Sequence, residues 1–538
     1  MKQFDYVIVG AGTAGCVLAN RLTAEASVSV LLLEAGGPYR HPMLPIPMMA
    51  GLSYFIKSTN WNYLSAPEPH LDNRRIAWPR GKVLGGTSSI NGMMYIRGHR
   101  RDYNGWAESG LDGWSYNEVL PYFKRAEGNR DRRDEFHGND GPFITARAKS
   151  DNPLYPVFLE ACRQAGHPAT DDFNGAEQEG VGRQDFNVDK GRRVCCATAY
   201  LAPAQGRANL RTVTRAHATK LLLEGTRAVG VEYVEGGKGS RKKEARAARE
   251  IIVCGGSVNS PALLQHSGIG APEMLRTLDI PVTADLPGVG QNLHDHLGAY
   301  VQNHCLEPVT LYRLFRADRA AMAILRVWLF GDGPGASIAL EAGGFLRTRP
   351  VLDIPDIQVS FVPGLSLDTT RGKQGRHGYL SHFYLMRPKS RGQVAITSAD
   401  PFAAPIIAPN SMAEEADRRV MRDGVRLVRD IMAQPAFARY RGGEISPGAD
   451  VQSDEGIDSW LRANATTVWH PVGTCKMGSG EDAVVDSKLR VHGIEGLRVV
   501  DASVMPEIIG GNTAAPTIMI AEKAADMILG RFPRRSGL

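Results

Sequence analysis

Three glycines near the start of the chain have the spacing of a phosphate-binding turn. Gly10, Gly12 and Gly15 follow an apolar strand pattern, and a helix pattern begins at Thr13 and Ala14. In such a turn the first glycine allows the tight bend, the second lets a pyrophosphate approach the backbone, and the third lets the helix pack on the strand. The N–H groups at the helix start attract the phosphates. The spacing therefore predicts a dinucleotide site.

An acidic residue closes the second apolar strand, about 20 residues after the glycines, as in dinucleotide-binding folds. Glu34, followed by Ala35, stands where a carboxylate accepts hydrogen bonds from ribose hydroxyls. A carboxylate there disfavours the 2′-phosphate of NADP. NAD and FAD both remain open at this point. A helix packed closely on a strand without any ligand is the alternative explanation of the glycines.

A histidine near the end of the chain has the chemistry of a general base. His470 stands between Trp469 and Pro471, and a residue before proline favours an extended backbone. We expect its imidazole to project from a loop. Because an imidazole titrates near neutral pH, it can take a proton from an alcohol hydroxyl. A structural turn is the alternative explanation of a lone Trp-His-Pro run.

Two further histidines raise the question of a metal site. His294 and His296 flank Asp295. A protein metal site needs three or four ligands brought together at suitable spacing, and the sequence shows no further ligand cluster for them. We predict no metal.

Length, charge and cysteine content narrow the class of protein. The 538 residues exceed one compact core, so two or more domains are expected. The net charge is +6 and the basic residues are scattered, so the sequence shows no basic patch of the kind that binds nucleic acid. Seven cysteines without metal spacing favour a reducing compartment. With neither a secretory signal nor a membrane-helix run in the sequence, we expect a cytoplasmic protein that contacts a membrane, if at all, through its electron acceptor.

The hydrophobic patterns predict an α/β fold. Strands are expected at residues 6–9 and 28–33, with a helix at 13–24 between them. Three alternating runs predict an antiparallel meander ahead of a buried strand at 250–254, namely 210–214, 218–224 and 228–235. The helix after that strand is expected to start with Ser260 as its N-cap and Pro261 as its first residue.

A second sheet is predicted in the middle of the chain. Its alternating runs are residues 299–304, 357–362, 382–386 and 393–397, and they indicate mostly antiparallel strands. Helices are expected at 411–433 and 454–464. The last strand, 497–500, and the last helix, 516–529, return to the α/β pattern of the N-terminus, so the dinucleotide fold is predicted to be discontinuous.

Four motifs together resemble the glucose-methanol-choline (GMC) oxidoreductases. The glycine-rich run from Gly81 to Asn91, continuing to Gly98, resembles the first signature of that family. The run from Gly256 to Gly270 resembles the second signature position for position. With the N-terminal glycines and the Thr-Cys-Lys-Met-Gly run after His470, the resemblance covers the whole chain. Within that family, the chain most resembles the bacterial alcohol, sorbose and choline dehydrogenase branch.

The resemblance implies FAD as the cofactor. By resemblance, the loop over 82–91 lies against the isoalloxazine ring, Asp501 and Ala502 lie near the pyrophosphate, and the strand around Ala218 meets the adenine. Some relatives attach FAD covalently through a histidine where this chain has Ile90, so we expect non-covalent FAD. The remaining FAD-binding residues expected from these segments are Val83, Gly86, Ser88, Asn91, Gly92, Asn512 and Thr513.

The resemblance also implies a domain order and fold class. We expect a discontinuous Rossmann-like FAD-binding domain plus a substrate-binding domain with a mostly antiparallel sheet and flanking helices. The expected parts are 1–150 (FAD-binding), 151–185 (substrate-binding), 186–297 (FAD-binding), 298–464 (substrate-binding) and 465–538 (FAD-binding, with the catalytic pair).

By the same resemblance, His470 and Asn512, 42 residues apart, form the catalytic pair beside flavin N5. His470 would take the hydroxyl proton while hydride moves to the flavin, and Asn512 would orient the alcohol oxygen. The expected reaction is oxidation of a primary alcohol or of a sugar such as sorbose.

Several alternatives stay open. The enzyme could be a choline dehydrogenase, since Glu341 resembles a glutamate that contacts the substrate cation in choline-oxidising relatives, although relatives that do not use choline share it. It could be an oxidase of the same family that uses O₂. A flavin-dependent lyase or photodecarboxylase on the same fold is a further alternative. The electron acceptor, whether a quinone, a dye-like compound or O₂, is left open, and Ala514, where many relatives carry a second Asn, weakens any transfer of substrate identity.

Overall fold

The computed structural model describes residues 3–366 and 377–531. Residues 1–2, 367–376 and 532–538, which belong to the expected parts 1–150, 298–464 and 465–538, lie outside the described residues. The helices are α1 Thr13–Leu22, α2 Ala50–Ser53, α3 Arg100–Glu108, α4 Tyr116–Ala126, α5 Leu154–Gln164, α6 Ala202–Ala204, α7 Gly256–His266, α8 Pro272–Thr277, α9 Ala317–Phe330, α10 Glu415–Ala433, α11 Asp454–Asn464 and α12 Ala514–Ile528. Among the described helices, none is both long and apolar enough to cross a bilayer.

Two seven-stranded sheets contain most of the strands. In chain order their strands are β1 Gln3–Val9, β2 Val30–Glu34, β3 Gly180–Arg183, β4 Leu210–Thr214, β5 Ala216–Glu224, β6 Arg227–Glu235, β7 Lys242–Val253, β8 Leu297–Cys305, β9 Ala342–Leu346, β10 Ile357–Val362, β11 Gly378–Leu385, β12 Arg441–Ser446, β13 Thr466–Thr467 and β14 Leu497–Val499.

The first sheet has the order β4-β2-β1-β7-β6-β5, and β14 pairs with the end of β7. Strands β4, β2, β1, β7 and β14 run parallel, whereas β5 and β6 join β7 as an antiparallel meander. Strand β1 is buried on both faces, as expected for a central parallel strand under helices. Its neighbours come from residues 30–34 and 242–253, and β14 comes from near the C-terminus, so the sheet is assembled from distant parts of the chain.

The second sheet has the order β12-β8-β11-β10-β9-β3, with β13 also paired to β8. Every pairing in it is antiparallel. Helices α5, α10 and α11 bury apolar faces against one side, where Phe158 stacks on Phe361 with ring centroids 4.8 Å apart. The predicted fold class, a discontinuous Rossmann-like part plus a mostly antiparallel sheet with flanking helices, is confirmed.

Three local predictions were wrong. The run 393–397 does not join the second sheet, because its strand, Gln393–Ala395, pairs antiparallel with Ile406–Ala408 in a separate two-stranded sheet.

Residues 210–214 do not belong to the meander; they form β4, which pairs parallel with β2. Asn209 fixes this arrangement, because its side chain donates to the carbonyls of Thr23, Glu25 and Val28 just ahead of β2. Alternation identified the strand but carries no information about its partner.

The predicted start of α7 at Ser260 was also wrong, because the helix begins at Gly256 and contains Pro261 in its interior. A proline there removes an N–H and leaves the carbonyl four residues earlier, that of Ser257, without its helical donor. The hydroxyl of Thr474 donates to this carbonyl at 2.8 Å instead. A hydrogen bond from a distant loop therefore stabilises a helix that the sequence pattern would end.

Candidate active site

A cavity of about 680 Å³ runs along the carboxyl ends of the parallel strands. Glu34 and Ala218 line one part of it, and His470 and Asn512 line another. The volume lies within the range of ligand and cofactor sites. Most of the expected site residues line this one cavity: Gly10, Gly12, Thr13, Ala14, Glu34, Ala35, Gly86, Ser88, Asn91, Gly92, Ala218, His470, Asp501, Ala502, Asn512 and Thr513.

Gly15 and Val83 are not among the residues that line the cavity. A Cβ on Gly15 would overlap the carbonyl oxygen of Gly10, so this glycine permits the close helix–strand contact that the spacing predicts. Val83 is buried in a small apolar cluster with Leu44 and Ile90, behind the glycine-rich loop. Both residues therefore support the cavity wall without facing the cavity.

The cavity has a cradle that fits a pyrophosphate. Gly86 adopts a left-handed φ of 54°, and a Cβ there would lie 2.6 Å from the Cα of Gly12. The two glycine-rich turns thus approach each other at a distance that side chains would prevent. The start of α1 has no side-chain cap, which leaves N–H groups for an anionic ligand. The donor set therefore fits the phosphates of FAD.

Glu34 lies at the base of this cradle. Its carboxylate accepts hydrogen bonds from the N–H groups of Ala11 at 2.8 Å and Gly36 at 2.7 Å. Burial raises the pKa of this carboxyl to about 7, against the lowering effect of the two N–H groups and Lys82. Each carboxylate oxygen has a further lone pair that a ribose hydroxyl could use.

Asp501 joins α7 to the C-terminal segment. Its carboxylate accepts from the N–H of Gly256 at 2.8 Å and from the Ser260 hydroxyl at 2.6 Å. It also accepts from Ser503. Ser260 is therefore a partner of Asp501 rather than a helix cap, and the aspartate holds the start of α7 against the cavity.

His470 and Asn512 meet as expected from the resemblance. The amide Nδ2 of Asn512 lies 3.2 Å from Nε2 of His470. On its other side, the Oδ1 of Asn512 accepts from Nε2 of the buried Gln358 at 3.3 Å. This second contact orients the amide so that its NH₂ group faces the histidine.

A second histidine, His296, determines the tautomer of His470. The Nε2 of His296 lies 2.9 Å from the carbonyl oxygen of Met386, an acceptor, so this nitrogen carries the proton. Its Nδ1 then accepts a hydrogen bond from Nδ1 of His470, 3.0 Å away. His470 consequently holds its own proton on Nδ1, and the lone pair on Nε2 faces Asn512.

Both histidines are held neutral. Burial lowers the pKa of His296 to about 4. Burial, reinforced by the nearby His296 and Arg80, lowers the pKa of His470 well below its usual range. A neutral imidazole with a lone pair on Nε2 is the form that a general base requires, and in the absence of substrate this lone pair faces the Asn512 amide.

The backbone around His470 is held from several sides. Trp469 has a left-handed φ of 64°, which is strained for a residue with a bulky side chain. Backbone strain of this kind is common at functional sites. The side chain of Arg80 donates to its carbonyl at 2.7 Å, and its indole donates to the carbonyl of Ala77 at 2.9 Å. The expectation that the imidazole projects from a loop agrees with this arrangement.

Asp295 anchors the same loop from beneath. Its carboxylate accepts from the N–H of His470 at 2.6 Å and from the hydroxyl of Thr467. Burial raises the pKa of Asp295 to about 7, and the nearby Arg80 acts in the opposite direction. Burial in turn lowers the pKa of Arg80 to about 10.

The run His294-Asp295-His296 is therefore built for positioning. His294 points elsewhere, with Nε2 3.0 Å from the side-chain oxygen of Asn292 and Nδ1 accepting from the N–H of Ile508. Sequence reasoning considered this run only as a metal site or a structural loop, and it missed the contact of His296 with His470. It also missed Gln358 and Arg80, for which no sequence signal exists.

Among the described residues, the one cluster with metal-ligand spacing is Asp134, His137 and Asp172, away from this cavity.

Glu341 does not line the cavity. Its carboxylate accepts from the N–H of Ser150 at 2.6 Å and pairs with Arg183 at 3.4 Å. Its charge is thus balanced within the second sheet region.

Two family models described as GMC oxidoreductase match residues 4–298 and 388–521. The chain is 50% identical over 537 residues to an oxygen-dependent choline dehydrogenase of Chromohalobacter salexigens, covering 99% of this chain and 96% of that protein. It is also 50% identical over 539 residues to the protein of the same name from Pseudomonas syringae pv. tomato, covering 99% and 94%. Among solved structures, pyridoxine 4-oxidase from Mesorbium loti matches with a TM-score of 0.89 and 31% identity, covering 98% of this chain and 100% of that one.

Proposed function

The chain belongs to the GMC oxidoreductase family, whose members are FAD enzymes that oxidise CH–OH donors, and we propose that its substrate is choline and that His470 is the base. The relatives at 50% identity, named choline dehydrogenases, support choline. They support it better than the other primary alcohols or the sugar expected from the family resemblance.

The arrangement of His470, His296 and Asn512 carries the mechanistic part of the proposal. Oxidation of an alcohol removes a proton from oxygen and a hydride from carbon. FAD, when bound, supplies the hydride acceptor. The chain's own contribution is the Nε2 lone pair of His470, which takes the hydroxyl proton once the alcohol replaces the Asn512 N–H there, and the Asn512 NH₂ group, which then donates to the alcohol oxygen.

The charge that forms on His470 is stabilised through its other nitrogen. After protonation, the Nδ1–H still donates to Nδ1 of His296, and His296 still donates to the carbonyl of Met386. The Asp295 carboxylate under the His470 backbone adds a favourable negative charge.

We further propose that the sixteen cavity-lining residues named above hold FAD and substrate, with Gly15 and Val83 supporting the cavity wall. We also propose that the cofactor is non-covalent, because Ile90 has no nucleophilic atom.

A neutral primary alcohol is the second candidate, and one observation favours it. A quaternary ammonium is usually bound by aromatic faces, and a nearby carboxylate would add the attraction of an opposite charge. The cavity offers the aromatic rings of Tyr54 and Trp469, 4.4 Å apart. Within the described residues, however, its only lining carboxylates are Glu34 and Asp501, and Glu341 is paired with Arg183.

Choline and its neutral isostere separate these two candidates. We would mix the FAD-loaded enzyme anaerobically with choline or with 3,3-dimethylbutan-1-ol, which replaces the ammonium nitrogen by carbon, and follow flavin bleaching. Choline is expected to reduce the flavin at least about tenfold more efficiently, the effect of about 1.4 kcal/mol of cation recognition. Equal or faster reduction by the isostere would assign the enzyme to neutral alcohols. Absence of bleaching by choline, the isostere and a sugar panel would favour a lyase or photodecarboxylase.

The electron acceptor needs its own measurement. Because the relatives are named oxygen-dependent, we propose O₂ as the acceptor. Stoichiometric H₂O₂ during turnover in air would support this, whereas reoxidation only by a quinone or dye would contradict it.

A further inference from the structure

One surface helix, α9, exposes an unusual concentration of large apolar side chains. Five of them are exposed within residues 322–330, with the following exposed fractions: Met322 65%, Leu325 49%, Trp328 40%, Leu329 64% and Phe330 74%. Contiguous exposed apolar surface of this kind marks an interaction site more often than an accident of composition. We call these five residues the α9 patch.

The opposite side of α9 explains how the helix is held. Ala323 and Val327 are buried, and Val327 packs with Ile46 and Met49 of the segment ahead of α2. A surface helix normally needs only one apolar stripe. Because α9 already buries such a stripe, the exposed parts of these five side chains are not needed to hold the helix in place.

Arginines lie on α9, just ahead of it, and beside it. Arg192, Arg313, Arg316, Arg319 and Arg326 are all exposed. The guanidinium of Arg192 lies 4.8 Å from the centre of the Trp328 ring. Two aspartates, Asp318 and Asp332, pair with Arg316 and Arg326, so the region keeps a net positive charge.

We propose that the α9 patch docks on the surface of an anionic phospholipid bilayer. An interfacial helix presents Trp, Phe and Leu to the acyl boundary and arginines to the headgroups, as α9 does. Basic residues near an anionic surface add an electrostatic attraction that salt weakens. A second copy of the chain suits the patch less well, because a twofold contact would bring the arginine-rich rims together.

The docked surface would lie close to the cavity. Val327 contacts the segment that continues into α2, where the Ser53 hydroxyl donates to the carbonyl of Ile90 at 2.8 Å. The next residue, Tyr54, lines the cavity. The inference goes beyond the proposed function, since it holds for any alcohol substrate.

Vesicle flotation tests the inference. The FAD-loaded protein would be mixed with vesicles of phosphatidylcholine alone or with added phosphatidylglycerol. We expect binding to the anionic vesicles, weakened by salt, and at least about tenfold weaker binding by the triple variant Leu325→Ser, Leu329→Ser, Phe330→Ser. Flavin reduction by alcohol in the triple variant should match wild type, because none of the three residues lines the cavity.

A matched control is available in the double variant Leu306→Ser, Val351→Ser. These residues are 68% and 78% exposed but lie outside α9, so the variant should bind vesicles like wild type. The inference is overturned if wild type ignores anionic vesicles, or if the triple and double variants bind equally. It is also overturned if light scattering shows a wild-type dimer that the triple variant converts to a monomer.

Discussion

His470 and His296 share a hydrogen bond between their two Nδ1 atoms, which are 3.0 Å apart. The bond has a direction, because the Nε2 proton of His296 is committed to the carbonyl of Met386. It follows that Nε2 of His470 carries a lone pair, and that His296 is a positioning residue for the base. The tautomer of His470 is thus determined by a residue 174 positions away in the chain.

Replacement of His296 should slow proton transfer to His470 without loss of bound FAD. His296→Leu removes the acceptor for Nδ1–H of His470, so we expect flavin reduction to slow by about 10- to 100-fold, the size of effect seen when the partner that orients a functional histidine is lost. His296→Gln keeps an acceptor oxygen and should recover part of the rate. Stopped-flow reduction under anaerobic conditions measures both variants, and similar rates for Leu and Gln would contradict the positioning role.

Gln358 should affect turnover more than binding. Its Nε2 holds the Oδ1 of Asn512 at 3.3 Å, which keeps the amide NH₂ toward His470. Gln358→Leu leaves this oxygen without that donor, and we expect kcat to fall about tenfold with little change in KM. Gln358→Glu cannot donate when ionised and should behave similarly. A variant with raised KM and normal kcat would indicate a role in substrate binding instead.

Asp295 predicts a pH effect on catalysis. Because burial raises its pKa to about 7, the carboxylate is present above this pH and is lost as the pH falls. Its negative charge favours the protonated His470, so kcat/KM should rise through pH 7 toward alkaline values. Asp295→Asn removes the titrating group, and its profile should lack that step. An unchanged inflection in the Asn variant would assign the step to another residue.

Gly86 predicts loss of cofactor. A Cβ would lie 2.6 Å from the Cα of Gly12 and would require a left-handed φ of a non-glycine residue. Gly86→Ala should therefore be purified with much less FAD than wild type, as read from its visible absorbance. Gly37→Ala is a suitable control, because Gly37 does not line the cavity and a Cβ there would meet nothing within 4 Å, so this variant should keep its FAD.

The sequence predicted those features that depend on local chemistry. The glycine spacing predicted the turn after β1, and alternation and apolar runs predicted most strands and both long helices of the second sheet region. Features created by contacts between distant segments were not accessible. The partner of β4 depends on Asn209, and the helical position of Pro261 depends on the Thr474 hydroxyl.

The residues of the site likewise include some that the sequence predicted and some that it did not. His470 and Asn512 were expected through family resemblance, and the structure brings their side chains to 3.2 Å. The role of His296 was not expected, because a His-Asp-His run read alone suggests either a metal site or a structural loop. The difference between these roles lies in the direction of the hydrogen bond to Met386, which no sequence pattern encodes.

The most direct test concerns His470 itself. The alcohol that reduces wild-type flavin most efficiently would be mixed anaerobically with FAD-loaded wild type and His470→Gln, and the rate of bleaching compared at saturating alcohol. If Nε2 of His470 takes the hydroxyl proton, the variant should retain FAD and reduce it about 10²- to 10⁴-fold more slowly. A variant that holds FAD and is reduced at the wild-type rate would contradict His470 as the base.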